Sequence, residues 1–366
     1  MRKGFQRVCI AVLSVWMNLA GLSAAGLDSL PNWPCMAVPV INYTPETNWE
    51  FGAAAQVYFS LQGQRTSIVQ VGGAYSLNRQ WYANVQGTLY LGTDIPWLIQ
   101  FRGGYRNYPD TYYGIGNTAD RPNSFARQGQ PYDSQRGYAF VQPLVQVGQG
   151  WYVGGHIEFL WERTQLQNAD AIVETVMPAI GVTTQYDTRD MIYYPSRGMF
   201  LKLSATHYNA AWKASVTFTR AQLDWRQFVP LGHDIVWCYQ IRAEIALAQD
   251  ITAVPFQLLP ALGGQDLLRG IPYGMFRDNT MLAAQTELRI PIWRWIRATA
   301  FAGIGDVNNY THWQWGRSKI GYGLGLRLTI NRAKINIRAD VARNNLYPSW
   351  GDLRGYGFYL TATEAF

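Results

Sequence analysis

The chain has 366 residues, of which 48% are apolar, 14% are aromatic and only 15% are charged, with a formal net charge of +7. Soluble domains carry about 25% charged residues, so the charged fraction is low for a soluble protein. The apolar content excludes a disordered chain, and beyond the N-terminus no apolar run reaches the roughly 20 residues of a membrane-spanning helix. A large all-β protein remains, either soluble or embedded in a membrane as a barrel.

The first 25 residues have the pattern of a secretory signal peptide. A basic start that ends at Arg7 precedes an apolar stretch over residues 8–20, and small residues at 23–25 provide a cleavage site before Gly26. The alternative is an N-terminal anchor helix, for which the apolar stretch is short. Cleavage lowers the net charge to about +4, which is too small to indicate binding to nucleic acid.

The rest of the chain alternates apolar and polar residues with a period of two. On one face of residues 320–328 the sequence places Ile320, Tyr322, Leu324, Leu326 and Leu328. Glycine and arginine occupy the other face of that segment. Residues 235–247 and 281–292 alternate in the same way. Such alternation is typical of β-strands that have one apolar and one polar face.

Strand length decides between a soluble protein and a membrane barrel. Strands of soluble sheets average about 5–6 residues, whereas tilted membrane strands need roughly 9–11. Most alternating segments here are of the longer kind, and Trp and Tyr crowd at their ends, as at residues 81–82 and 151–152. The pattern predicts a transmembrane antiparallel β-barrel of about sixteen strands. A secreted β-sandwich or propeller is the alternative.

The predicted connections alternate between long outer loops and short inner turns, as expected when both termini are periplasmic. The long connections all fall on the outer side: 107–134, 166–174, 250–280, 308–317 and 344–355. The exception is 188–197, which is longer than a tight turn although its place in the strand order is periplasmic. A strand is predicted over 213–228.

Five sequence motifs occur in the order of one protein family. Residues 263–271 (GGQDLLRGI) resemble the [V/L]-R-G-[F/Y] loop of the BamA/TamA outer-membrane assembly-factor superfamily, also called the bacterial surface antigen family. Its E-x-R-x-P strand, F-x-D-x-G-D-V strand and D-x-R-D…P-x-x-G turn resemble residues 285–291 (QTELRIP), 301–307 (FAGIGDV) and 186–198 (YDTRDMIYYPSRG). Residues 39–47 match the usual first hairpin. Together the motifs span the whole mature chain.

The resemblance implies that the loop with Arg269 and Gly270 folds into the lumen, where the arginine pairs with carboxylates on the next two strands. Glu287 is the predicted partner, because it projects inward by alternation and a buried guanidinium needs a planar acceptor. On the following strand Gly303 replaces the inward Asp of relatives, so Asp306, of different parity, is predicted as a third member. Arg269, Gly270, Glu287 and Asp306 form a predicted structural lock between loop and lumen. Without the resemblance, Arg269 would be interpreted as an exposed loop residue.

Three segments follow from these predictions. Residues 1–25 are the signal peptide, residues 26–36 a short periplasmic segment, and residues 37–366 the outer-membrane barrel. Family members that assemble or secrete proteins carry periplasmic POTRA modules ahead of the barrel, and residues 26–36 are too few for one. The resemblance therefore implies a barrel with an inward loop but without the modules that receive client proteins.

No enzymatic signature stands out. His156 projects inward near Glu158 and Glu162, which would fit a proton relay or a metal site; the alternative is an ordinary polar lumen residue, since no second histidine lies at ligand spacing. Residues 321–327 (GYGLGLR) superficially resemble a phosphate-binding loop but lie within a strand. Their glycines are predicted to face the lumen where the returning loop approaches the wall. We expect no catalytic residue, metal or cofactor.

Three functions remain open. The first is a conduit for protein or lipid insertion or export, with a weak seam between the first and last strands, where Pro39 and Pro45 reduce pairing. The second is a porin-like passive solute channel, and the third an outer-membrane enzyme that acts on lipid. The expected location is the bacterial outer membrane. Expected partners are outer-membrane lipids including lipopolysaccharide, the barrel-insertion machinery, and a separate periplasmic protein in place of the missing modules; no nucleic acid is expected.

Overall fold

The computed structural model describes residues 35–59, 67–92, 95–117, 129–166, 172–192, 194–310, 317–329, 336–347 and 349–361. The predicted signal peptide and the predicted periplasmic segment lie outside these ranges, except for Cys35 and Met36, with which the first strand begins. Residues 37–366 form one compact unit.

Nearly all of the regular structure is β. The strands are β1 (Cys35–Thr44), β2 (Asn48–Phe59), β3 (Ser67–Ser76), β4 (Trp81–Leu91), β5 (Trp97–Asn107), β6 (Asp110–Tyr112), β7 (Gln130–Gly148), β8 (Trp151–Leu166), β9 (Ile172–Asp187), β10 (Gly198–Tyr208), β11 (Phe218–Gly232), β12 (Ile235–Leu247), β13 (Ala261–Leu262), β14 (Phe276–Arg277), β15 (Thr280–Trp293), β16 (Ile296–Asn308), β17 (Lys319–Thr329), β18 (Asn336–Asn344) and β19 (Tyr356–Thr361). Four short 3₁₀ helices among the described residues are Ala210–Trp212, Ile251–Ala253, Phe256–Leu258 and Leu353–Gly355. In this part of the chain no helix is long and apolar enough to cross a membrane.

The strands form one closed antiparallel barrel. Neighbours in sequence pair with each other, and β1 pairs with β19 through Tyr43 and Leu360, so the sheet closes on itself. Both β5 and β6 pair with β7, so they share one position in the wall, and β13 and β14 form a separate hairpin. The wall therefore has sixteen positions, which confirms the predicted fold.

The two faces of the wall differ as the alternation predicted. On β17 the five apolar side chains of residues 320–328 are 39–69% exposed on the outside, while Lys319 and Arg327 are buried inside. The apolar face therefore forms an outer belt, and the polar face lines the lumen.

Two predicted segments differ from the structure. The strand predicted over 213–228 begins only at Phe218 and runs on to Gly232. Residues before it form a turn, in which Lys213 adopts a φ of 68° and ends a 3₁₀ helix that Asn209 caps with its side chain. The outer loop predicted over 107–134 contains β6, and β7 extends into it from Gln130.

Candidate functional site

A long loop, residues 248–279, joins β12 to β15 and is termed here the inward loop. Two 3₁₀ helices begin it, and β13 and β14 follow as a small hairpin. In that hairpin Ala261 pairs with Arg277 and Leu262 pairs with Phe276. The hairpin tip, residues 263–275, carries the predicted Arg-Gly motif.

The inward loop packs against two different parts of the barrel wall. Leu258 and Leu259 lie in a buried cluster with residues of β8 to β12, namely Leu160, Met177, Ala179, Tyr208, Phe218 and Ala246. Leu267, Leu268 and Ile271 of the tip lie in a second cluster, with Met281, Ala283, Val307 and Leu346. Burial of each such side chain contributes about 1.5–3 kcal/mol. The two clusters therefore hold the loop across the lumen.

The backbone at the tip turns sharply around Arg269. Gly270 has a φ of 97°, a conformation that favours glycine. Its N–H donates to Tyr359 Oη at 2.9 Å, and its carbonyl accepts from Asn344 Nδ2 at 2.6 Å. A Cβ at Gly321 would collide with the carbonyl oxygen of Arg269, so this glycine lets the tip reach the wall. The predicted role of the lumen-facing glycine at this position is confirmed.

Arg269 lies at the centre of a group of fully buried charges. Its Nη2 donates to Glu287 Oε2 at 2.8 Å, and its Nη1 donates to Asp340 Oδ2 at 2.6 Å. Its guanidinium carbon lies 3.5 Å from the centroid of the Phe301 ring, which supplies a cation–π contact. The loop arginine thus bridges β15, β16 and β18.

Three strand arginines complete this group, which is termed here the buried charge cluster. Its members are Arg269, Glu287, Arg289, Arg327, Arg338 and Asp340. Arg289 donates to Glu287 at 2.9 Å, and Arg327 donates to Glu287 at 2.9 Å and to Asp340 at 2.5 Å. Arg338 Nε lies 3.6 Å from Asp340. Since Glu287 and Asp340 each lie against three of these guanidinium groups, each carboxylate serves several cations.

The third member predicted from sequence lies elsewhere. Asp306 accepts from Lys319 Nζ at 2.7 Å, and Lys319 also donates to the backbone carbonyl of Asn117 at 3.0 Å. Asp340 on β18 occupies the position expected of Asp306. The sequence places Asp340 on the polar face of a strand, so it could be predicted to face the lumen. Nothing in the sequence indicated that β18 lies beside the loop.

Gly303, where relatives were expected to carry an inward carboxylate, has a packing role. A Cβ there would lie 2.9 Å from Leu268 Cδ1 of the loop tip. The tip therefore occupies the space that a larger side chain would need.

The unusually long inner turn, residues 188–197, approaches the buried charge cluster from the other end of the barrel. Pro195 accepts from Arg289 Nη1 at 3.1 Å, and the Tyr194 ring lies 4.3 Å from the Arg289 guanidinium carbon. Asp190 accepts from the Ser196 hydroxyl and from three backbone N–H groups. Burial raises the pKa of Asp190, but these hydrogen bonds outweigh it and hold the pKa below its usual value. This longer turn thus reaches Arg289 of the buried charge cluster.

The space beside the loop is a polar cavity of about 1110 Å³. Its charged lining comes mainly from β2, β5 and β7 to β12, and most of the arginines there have a carboxylate partner on the same or a nearby strand. The pairs are Arg136–Glu162, Arg189–Asp187, Arg220–Glu158, Arg226–Asp224 and Arg242–Glu244. The inward loop fills one side of the lumen, termed here the dry side. The polar cavity occupies the other side, termed here the wet side.

His156 has the surroundings of an ordinary polar lumen residue. Its Nδ1 lies 3.1 Å from the Thr183 hydroxyl and its Nε2 lies 2.9 Å from the Thr206 hydroxyl. Glu158 contacts Tyr208 and Arg220 instead. Among the described residues no group of three or more His, Cys, Asp or Glu is arranged to hold a metal ion.

Solved structures with a similar fold include one of BamA and two of CdiB. BamA from Haemophilus ducreyi lacking POTRA domains 1–3 has a TM-score of 0.61 at 13% identity, over 90% of this chain and 70% of that chain. CdiB from Escherichia coli has a TM-score of 0.61 at 14% identity, over 91% of this chain and 63% of that chain. CdiB from Acinetobacter baumannii has a TM-score of 0.55 at 12% identity, over 90% of this chain and 60% of that chain.

At these identities the likeness concerns the fold, and the chain spans less than two thirds of the two CdiB proteins. No curated protein sequence matches the chain. The model of the Omp85 superfamily domain matches residues 43–366. This match covers most of the chain and agrees with the five motifs, with the sixteen-position barrel and with the loop that enters the lumen. The chain belongs to the Omp85 superfamily.

Proposed function

We propose that this chain is an integral barrel of the bacterial outer membrane that acts as a gated conduit for the insertion or export of protein or lipid. The outward apolar belt and the superfamily membership support the location. The structural likeness to BamA and CdiB supports a conduit. The proposal includes no enzymatic step and no cofactor.

The observation that carries the proposal is the inward loop. It packs on both sides of the lumen, and its Arg269 is fully buried among charges of β15, β17 and β18. A lumen that a built-in loop crosses is expected to pass little solute at rest. The proposed lock is the pairing of Arg269 with Glu287 and Asp340, supported by the Gly270 turn; Asp306 would fix the wall beside it through Lys319.

The exit for a substrate would be the seam between β1 and β19. Pro39 in β1 has no N–H to donate to a neighbouring strand, and Pro45 follows directly after this strand. Outer-membrane lipids, including lipopolysaccharide, would surround the outward belt. The insertion machinery would be a partner during biogenesis, and a periplasmic protein would deliver substrates.

The polar cavity favours a second candidate, a porin-like passive channel. Conductance of the purified chain in planar bilayers distinguishes the two. Since Leu262 and Phe276 are direct cross-strand partners, residues 263–275 can be replaced by an Asn-Gly turn that leaves the hairpin base in place. We expect small, flickering currents from the unchanged protein and a large, steady current after this replacement.

The Arg269→Ala variant tests the same idea with one side chain. It removes the bridge between loop and wall, so we expect more frequent openings, weaker assembly or activity, and an unchanged strand content by circular dichroism. Arg242→Ala, in a pair that faces the cavity, is the matched control and should conduct like the unchanged protein. A large steady current without any substitution would favour the porin, and wild-type assembly and conductance in Arg269→Ala would refute the lock.

A further inference from the structure

One part of the cavity wall has cations without carboxylate partners. Arg102 on β5 and Lys202 on β10 both face the cavity. Among the described residues, neither has a carboxylate oxygen within 4.0 Å, in contrast to the five paired arginines named above. The Arg102 guanidinium carbon lies 4.9 Å, and Lys202 Nζ 6.0 Å, from the centroid of the same ring, that of Phe140. The two cations thus lie beside the same aromatic ring.

The position of Lys202 is fixed by a polar side chain behind it. Lys202 Nζ donates to Gln142 Oε1 at 3.0 Å. Gln142 is fully buried, and its Nε2 has no acceptor within the part of the chain that the structure describes. This point of the wall therefore has hydrogen-bond donors in excess, and Arg102 remains exposed to the cavity.

The carboxylates directly across from Lys202 and Phe140 on the neighbouring strands are already engaged. Asp224, the cross-strand partner of Lys202, accepts hydrogen bonds from Arg226 Nε and Nη2 and from Gln240 Nε2. Glu158, the cross-strand partner of Phe140, accepts from Tyr208 and Arg220. Neither is free to neutralise Arg102 or Lys202, so the local charge balance calls for an external anion.

We propose that Arg102 and Lys202, with Gln142 behind them, form a binding site for a phosphate group in the lumen cavity. A phosphate group carries up to two negative charges and several acceptor oxygens, so one group can satisfy both cations, whereas a carboxylate has a single charge. A planar guanidinium beside an ammonium group is a common way to hold phosphate. The phosphate would come either from free inorganic phosphate or from a phosphorylated lipid headgroup.

The test is calorimetric titration of the folded, detergent-solubilised full chain at fixed ionic strength. The probes are inorganic phosphate, dihexanoyl phosphatidic acid and, as a phosphate-free comparison, dihexanoylglycerol. We expect saturable binding of one phosphate group per chain, weakened roughly tenfold or more in Arg102→Gln and in Lys202→Gln. Arg102→Lys, which keeps the charge but not the planar guanidinium, should lose less affinity than Arg102→Gln. Unheated gel mobility shows that each variant remains a folded barrel.

The matched control is Arg242→Gln, which removes one positive charge from the same cavity but from an arginine paired with Glu244. It should change the affinity by less than about twofold, because the Arg242 charge acts on the proposed phosphate site only through the long-range electrostatic field. Tighter binding of the phosphatidic acid than of inorganic phosphate would identify a lipid source, and equal or weaker binding would identify free phosphate. The site is refuted if the unchanged protein shows no saturable binding, if dihexanoylglycerol binds as well, or if Arg242→Gln weakens binding as much as Lys202→Gln.

Discussion

Two neighbouring strands carry the same pair of residue types in very different surroundings. On β12 Arg242 donates to Glu244, and on β15 Arg289 donates to Glu287, each pair two residues apart on one face. The side chains of the β12 pair are 38% and 10% exposed, whereas those of the β15 pair are 1% and 0% exposed. The strands pair directly with each other, so the difference comes from what covers them. One pair faces the cavity, whereas in the other Arg269 of the inward loop covers Glu287, and Tyr194 and Pro195 of the inner turn cover Arg289.

The loop tip and the inner turn together therefore change the energetic character of an ordinary ion pair. A pair open to water contributes little, because solvent screens the attraction and hydrates either partner when it is left alone. A pair enclosed by protein cannot be hydrated in that way, so each charge depends on its partners. The inward loop supplies one of those partners itself, through Arg269, and is held in place by the same charges that it encloses.

The largest expected effect comes from removal of the shared carboxylate of the dry side. Glu287→Gln leaves Arg269, Arg289 and Arg327 without one of their acceptors, so we expect a loss of about 3–5 kcal/mol in the free energy of unfolding. Glu244→Gln on β12 should lose less than about 1 kcal/mol, because Arg242 stays hydrated. Urea unfolding of the detergent-solubilised barrel, followed by tryptophan fluorescence, measures both. Similar losses in the two variants would mean that the loop does not isolate the buried charge cluster from water.

A smaller effect is expected from a change in the space between loop and wall. Gly321→Ala places a methyl group against the backbone carbonyl of Arg269, so the tip must shift, at a cost of about 1–3 kcal/mol. The matched control is Gly137→Ala on β7, whose added Cβ would lie 3.8 Å from Trp161, an ordinary contact. It should change stability by less than about 0.5 kcal/mol. Equal stability of the two variants in the same unfolding measurement would show that the loop tip can shift away from the wall without an energetic cost.

Most of the wall could be predicted from the sequence, because strand alternation is a local property. The outward apolar residues of β17 depend only on neighbours in the chain. The start of β11 could not be predicted, because the turn before it depends on the capping of Ala211 by Asn209 and on the positive φ of Lys213.

The site likewise contains residues that could be predicted from the sequence and residues that could not. Arg269 and Glu287 were paired on the basis of a motif and inward parity, and they lie 2.8 Å apart. Asp340 was missed and Asp306 was chosen in its place, because the partner of a loop arginine depends on how far around the barrel the loop reaches. That distance is set by the packing of Leu268 against Gly303 and of the Arg269 carbonyl against Gly321, which no local pattern specifies.

The smallest expected effect lies where the loop tip meets the wet side. Glu46, in the β1–β2 turn, accepts from the Tyr273 N–H at 3.1 Å, and burial raises the pKa of its carboxyl despite that hydrogen bond. A raised pKa means that ionisation is less favourable in the folded state. The resulting cost appears as the pH rises through the unfolded pKa, near 4.3, and is complete above the folded value. Glu46→Gln avoids it, so its stability relative to the unchanged protein should increase with pH, by less than about 1 kcal/mol.

Asp352, in the β18–β19 loop, provides a control of opposite sign. The side-chain hydrogen bond from Arg354 holds the pKa of Asp352 below its usual value. That group stabilises the fold above its unfolded pKa and loses its contribution as the pH falls through the folded value. Asp352→Asn should therefore become less stable than the unchanged protein as the pH rises, whereas Glu46→Gln becomes more stable. Unfolding curves from pH 2 to pH 8 that diverge in the same direction for both variants would show that folding lowers the pKa of Glu46, and that burial does not dominate its surroundings.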